Sequence, residues 1–229
     1  MTDYRTGARR RSALSLPGGR RLLADEFFLM AHHDVSGRLR LAPRIAGLGV
    51  AAALVIDLAV TGALVVTPTG QLVRTSVSVP ADVWEWRVLG WVAAEPGQPV
   101  ATWIDFLADQ SVEAVGERLA AAGVVRRVRV RRLLKTPRIA WEPADMNVAA
   151  WPWARLSTRI RRSERLEAFD SCLARLSLAT GIEGRFLDGE SAQARQRLEQ
   201  LLSPVSLQLD GLLRQLSAAV GRAVLGGRT

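Results

Sequence analysis

The chain has 229 residues, 48% of them hydrophobic and 23% charged, enough for one globular domain with a sizeable core. Its formal net charge of +9 is almost wholly arginine, since Lys135 is the only lysine, and it favours anionic partners: nucleic acid, acidic lipid or acidic protein. A lone cysteine, Cys172, excludes an internal disulfide and points to a reducing cytosol rather than to secretion.

Residues 1–20 read as a disordered basic tail, with Arg5, Arg9, Arg10, Arg11 and Arg20 set against Asp3. No apolar run of signal-peptide length follows its arginines, because Leu14 and Leu16 lead straight into Pro17-Gly18-Gly19. A helical domain is expected over 21–225. Its first helix starts at Leu22, with Leu22, Leu23, Phe27, Met30 and Ala31 on one face. Asp34 to Gly37 forms a turn, and Gly37 to Arg44 is a basic connector. Ile45 to Val66 is long enough to imitate a membrane span. Asp57 in its middle and Gly62 before a valine-rich run instead predict a buried core helix to about Thr61, then a strand.

That strand, Ala63 to Val66, turns through Thr67-Pro68-Thr69-Gly70 and returns over Gln71 to Thr75 as a hairpin. Helices follow at Ala81 to Ala94, Val100 to Ala108 and Val112 to Ala122. Gly123 stops the last of these, and a second hairpin spans Val124 to Trp141, turning near Leu134 to Pro137. The last third reads as helical: Leu166, Phe169, Leu173 and Leu176 step by three or four, as do Leu209, Leu212, Leu216 and Val220, with a further helix from Ser191 to Leu202. The class is mainly α, a helical core ringed by amphipathic helices with one or two β-hairpins.

The motifs hold little chemistry. Gly47 to Ala52 fits G-x-G-x-x-A, but Pro43 precedes it where a strand is needed, so its small residues favour close helix packing over nucleotide binding. His32-His33-Asp34 has no further histidine to complete a metal site and reads as a helix C-terminus. Cys172 lies on a helix without an activating histidine and reads as buried packing. No catalytic constellation, cofactor or metal is expected. Of the seven tryptophans, Trp84 and Trp91 share a core face, Trp86 points elsewhere, and Trp151-Pro152-Trp153 reads as a loop. Tryptophan near arginine also suits a membrane interface.

The charge is patchy. Residues 1–21 hold six arginines and one aspartate. The second hairpin holds Arg126, Arg127, Arg129, Arg131, Arg132, Lys135 and Arg138 with no acid between them, so the remainder is net acidic. Alternation with Val128 and Val130 puts Arg127, Arg129 and Arg131 on one strand face. A weaker cluster comprises Arg155, Arg159, Arg161, Arg162 and Arg165.

Two segments, LLADEFFLMAHHDVSGRLR (Leu22 to Arg40) and GLGVAAALVIDLAVTGALVV (Gly47 to Val66), resemble the opening of the Golgi phosphoprotein 3 family. Glu26, Asp34, Gly37, Asp57, Leu58 and Gly62 match its motif positions. Weaker likeness continues through Thr102-Trp103-Ile104, Glu117 to Val125 and Leu173 to Ile182, and the arginine-rich composition suits a bacterial member. The resemblance implies a mainly α fold and a cytoplasmic, peripherally membrane-associated protein that binds phosphatidylinositol 4-phosphate and retains client membrane proteins. It further implies that the hairpin mediates membrane contact and homo-oligomer formation. The family's headgroup-binding positions correspond to Ala42, Ala51, Asp109 and Val112 here, and none keeps its chemistry. Arg38, Arg40 and Arg44, in the adjoining connector, are the cations that stand in for them.

The leading expectation is therefore a non-catalytic adaptor docking on anionic membrane lipids through Arg38, Arg40, Arg44 and the basic hairpin. The alternative is a winged-helix-like nucleic-acid binder with that hairpin as its wing, weakened by the alanine- and glutamate-rich helix before it. A scaffold whose hairpin pairs with itself is the third.

Overall fold

The computed structural model describes residues 22–75, 82–132, 135–185 and 192–226, and the side chains among them except 131–138, 185 and 192. The expected tail over 1–20 lies outside the described residues. The order is α1 (Leu23–Ala31), α2 (Pro43–Val60), β1 (Leu64–Val66), β2 (Leu72–Arg74), α3 (Val83–Ala94), α4 (Val100–Ala121), β3 (Val125–Arg132), β4 (Lys135–Pro143), α5 (Met146–Arg161), α6 (Ala168–Thr180), α7 (Ala192–Leu201) and α8 (Leu207–Gly226). The mainly α class with two antiparallel hairpins is what the sequence predicts.

The bilayer-length apolar run folds as the central helix. α2 starts with Pro43, whose fixed φ suits a first helical turn. From Ala46 to Leu58 every residue is buried, with α1, α4, α6 and α8 packed around it. Of the described helices, α2 alone is long and apolar enough to cross a membrane, and the protein itself covers it. Its glycines set the spacing. A Cβ at Gly47 would run into the Ala108 carbonyl of α4, and one at Gly49 into the Phe27 ring of α1. The G-x-G-x-x-A pattern is thus a packing device.

Asp57 explains how a carboxylate sits in such a helix. α1 has no cap of its own at Leu22, and both Asp57 oxygens reach across to it: Leu23 N–H donates to Oδ1 and Ala24 N–H to Oδ2, each at 2.9 Å. Two of the orphan donors at the helix start are satisfied by a residue 33 or 34 positions away. Burial lifts the Asp57 carboxyl to about 7, against the lowering effect of those donors.

The sequence expects an amphipathic α1, but all nine of its residues are buried, Asp25 and Glu26 included. Their charges are met by arginines from remote helices. Arg118 of α4 bonds Asp25 and, at 2.8 Å, Asp82. Arg155 of α5 pairs with Glu26 and, at 2.9 Å, with Asp170 of α6. Satisfied in this way, buried charges can be tolerated in a core.

Two expectations need correcting. The helices expected at Val100 to Ala108 and Val112 to Ala122 are one, α4. The polar Asp109-Gln110-Ser111 between them is no break, because the first two face solvent and Ser111 Oγ donates back to the Leu107 carbonyl at 2.6 Å. Trp151-Pro152-Trp153 is no loop either, but lies inside α5. The proline lacks an N–H to donate to the preceding turn, yet the buried faces of Ala149, Pro152 and Leu156 hold the helix in place. A helix–Gly–hairpin arrangement occurs twice: α2 ends before Gly62 and α4 before Gly123, both in the left-handed region, and each leads into a hairpin.

Candidate functional site

The connector and the long hairpin meet along β4. After α1 the chain reverses: His33 N–H donates to the Arg38 carbonyl at 2.7 Å, and Gly37 N–H to the His33 carbonyl at 2.9 Å. Gly37 takes φ +62°, open to glycine, and its bare Cα lies against the Trp141 backbone. Trp141 N–H donates to the Gly37 carbonyl at 3.0 Å, which ties the connector to the hairpin. The Trp141 ring packs on Gly116 of α4, where any Cβ would collide with it. A cavity of about 380 Å³ lies between connector and hairpin, lined by Arg38, Leu39, Leu41, Val130, Ile139 and Ala140 among others.

The structure separates the predicted cations. Arg38 is exposed at the cavity mouth and has no ion pair among the described residues. Arg40 is turned inward, its side chain 8% exposed, bonded to Asp34 at 2.9 Å and to the His32 carbonyl at 2.8 Å, and it sits over the Trp153 ring. Arg44 is clamped to Asp105 and Asp109 of α4, each at 2.8 Å. On the hairpin, Arg126 is 73% exposed with Glu142 only at 3.8 Å. Arg127 is drawn over the Trp141 ring toward Glu113 and Glu117 of α4. Arg129 is exposed, with no ion pair among the described residues, opposite Ile139 in the register. The side chains of Arg131, Arg132, Lys135 and Arg138 lie outside the described residues. β3 reaches Arg132 and β4 starts at Lys135, so Lys135 to Pro137 of the expected turn belong to a strand and Leu134 lies outside the described residues; the register shifts between Val130 and Arg132.

A second cavity, about 290 Å³, opens between the connector and α4, lined by Pro43, Arg44, Asp109, Val112, Glu113 and Trp141 among others. Two positions carried over from the family's headgroup pocket, Asp109 and Val112, are here, and Ala42 adjoins them. Ala51 is wholly buried inside α2 and lines neither cavity. With two carboxylates and one arginine already held by aspartates, this cavity does not present net positive charge to a phosphate.

The histidines offer no metal site, and the described residues contain no cluster of three metal-ligating side chains. His32 Nδ1 lies 2.7 Å from the Phe28 carbonyl, and burial lowers the ring to about 4, so it stays neutral. Cys172 is buried, and burial pushes its thiol up. Of the 155–165 cluster, Arg155 and Arg159 serve Asp170, while Arg161 and Arg165 are exposed. Sequence reading missed the carboxylates that capture Arg44 and Arg127. Their signal was available: Asp105, Asp109, Glu113 and Glu117 recur every four residues and form one stripe along α4.

A family model described as Golgi phosphoprotein 3 (GPP34) matches residues 23–224. No curated protein matches the chain. The family match covers nearly all of the chain, which belongs to the Golgi phosphoprotein 3 family.

Proposed function

We propose that this member of the Golgi phosphoprotein 3 family is a non-catalytic, peripheral membrane adaptor that docks on anionic lipid and reads charge rather than one headgroup. The observation that carries this is the joining of connector and hairpin through Gly37 and Trp141, with Arg38 lining one cavity with Val130 and Ile139, and Ile139 opposite Arg129 in the strand register. Half-exposed Ile139 adds apolar surface between cations, a combination suited to a headgroup–acyl boundary. Each basic residue near an acidic surface contributes about 1 kcal/mol, so a few exposed arginines suffice without a pocket.

Charge reading, not phosphoinositide reading, follows from the second cavity. Its carboxylates would repel a phosphate, and Arg44 would have to leave two aspartates to reach one. Nucleic acid fits less well, because the helix leading into the hairpin presents the Asp105–Glu117 carboxylate stripe where a recognition helix needs cations.

Co-sedimentation of the full chain with phosphatidylserine, phosphatidylcholine and phosphatidylinositol 4-phosphate vesicles tests the reading. Binding to both acidic vesicles at matched surface charge, lost on neutral vesicles and at raised salt, is expected. Failure on both acidic vesicles would sink it, and preference for the phosphoinositide at matched charge would restore a specific pocket. Self-association through the hairpin is the accompanying proposal, because the outer edge of β3 pairs with no other strand among the described residues. Sedimentation velocity of the full chain and of an edge variant, Arg129→Pro, whose N–H points away from β4 by the alternation set at Trp141, checks it: an intact chain that is already monomeric removes it.

A further inference from the structure

We propose that the groove between α3 and α4 is a docking site for this chain's own arginine-rich segment, residues 1–21. This goes beyond the lipid reading and concerns a cavity that shares no lining residue with the one beside Arg38. The groove has a volume of about 620 Å³, with Val83, Trp84, Ala114 and Ala121 as its apolar floor. Its rim carries Asp109, Glu113 and Glu117, each more than half exposed, against two lining cations, Arg87 and an Arg118 already held by Asp25 and Asp82. Glu113 and Glu117 share one cation, Arg127, so a second guanidinium would be accepted there without displacing a full pair. The Trp84 indole N–H is buried in the groove wall and has no acceptor among the described residues. A peptide laid in the groove would bring backbone carbonyls to it.

The segment fits in charge, pattern and position. Residues 1–21 carry six arginines and one aspartate, with Ala13-Leu14-Ser15-Leu16 between Arg9-Arg10-Arg11 and Arg20-Arg21. That is an apolar stretch flanked by cations, complementary to an apolar floor whose exposed rim carries Asp109, Glu113 and Glu117. The chain enters α1 at one end of the groove: Asp25, in the first turn, and Asp82, on the groove rim, are held by the same Arg118. From Ala121 to Asp109 the groove runs roughly 18 Å along α4 at about 1.5 Å per residue. Arg11 precedes Leu23 by 12 residues, which span at most about 40 Å extended. Arg9 to Arg11 can therefore reach the Asp109 end, while Arg20 and Arg21 stay beside Asp82. Docked there, the segment is withheld from acidic lipid, and its release would add its charge to the membrane-facing set.

The test places a nitroxide on the full chain at Ser12→Cys. Native Cys172 is buried and its thiol pushed up, so labelling selects position 12. The readout is paramagnetic loss of amide signals along 109–121 and of the Trp84 indole signal. The indole of Trp86, on the same helix but exposed outside the groove, is the internal control. Strong loss at Trp84 and α4 is expected, little at Trp86, with recovery in raised salt. Arg9→Ser, Arg10→Ser and Arg11→Ser together should restore the signals without touching the folded domain. Glu113→Gln with Glu117→Gln should do the same from the groove side. Loss centred on the hairpin or spread evenly over the surface overturns the proposal. Loss that fades on dilution does too, because the segment would then belong to a neighbouring copy.

Discussion

Arginine does opposite work in two regions of this molecule. Around α1, Arg118 and Arg155 are enclosed and bound to carboxylates that arrive from helices 93 and 129 residues away in sequence. On the connector and hairpin, Arg38, Arg126 and Arg129 are exposed, with at most one long ion pair among the described residues. The first set neutralises acids that burial would otherwise make intolerable. The second has its charge available to a partner. Net charge therefore says little until each cation is assigned to one set or the other.

The sharpest way to break this contrast is Arg155→Ala. It would leave Glu26 and Asp170, both almost fully buried, without their shared cation. A loss of about 3–5 kcal/mol in urea unfolding is expected, as for one partner removed from a buried pair. A loss near zero would mean that α1 is not held by its charges. Next comes pH. The Asp57 carboxyl is lifted by burial from 3.8 to about 7, and burial also raises Asp25 against the pull of Arg118. A raised folded value means the native state holds protons that the unfolded chain has released. The contribution of these carboxyls to stability is then fully present below about pH 4 and is lost as pH rises toward 7, by an amount on the order of 4 kcal/mol for Asp57. Asp57→Asn should flatten that slope while weakening the cap on α1, and an unchanged slope would assign it to another group.

Gly116→Ala tests whether the root of the hairpin belongs to the enclosed region. The added methyl would push against the Trp141 ring, which also anchors Arg127. Overpacking of this kind costs about 1–3 kcal/mol. Thermal unfolding should show it, together with weakened lipid binding as the hairpin shifts on α4. Unchanged stability with unchanged binding would show that the hairpin is not seated through Trp141.

Much of this fold was legible because its signals are local. Gly62 and Gly123 stop their helices, Pro43 starts α2, and the β-rich text after each glycine pairs as a hairpin. Where the reading failed, the deciding contact was distant or the breaker was misjudged: Pro152 is carried inside α5 by its buried face, and Asp109-Gln110 simply point outward from α4. The site was less legible for the same reason. Arg38, Arg40 and Arg44 are equivalent in the sequence, and only the folded chain brings Asp34 to one, Asp105 and Asp109 to another, and nothing among the described residues to the first. The motif residues that carry the family likeness are fold-makers throughout. Glu26 holds Arg155, Asp34 holds Arg40, Gly37 seats Trp141 and Asp57 caps α1. They identify the scaffold and are silent on the ligand.

The smallest expected change in stability is also the one that separates the two arginine sets most cleanly. Arg129→Ala removes an exposed guanidinium with no ion pair among the described residues, so unfolding free energy should move by no more than about 0.5 kcal/mol. Partition onto phosphatidylserine vesicles should nevertheless fall about fivefold, the equivalent of roughly 1 kcal/mol for one cation at an acidic surface. Arg40→Ala should show the reverse: a clear loss of stability from its broken bonds to Asp34 and the His32 carbonyl, with little change in partition at temperatures where the fold holds. If Arg40→Ala weakened lipid binding more than Arg129→Ala did, the inward-turned arginine would have to swing out to reach the membrane. Burial would then no longer be the rule that sorts these cations.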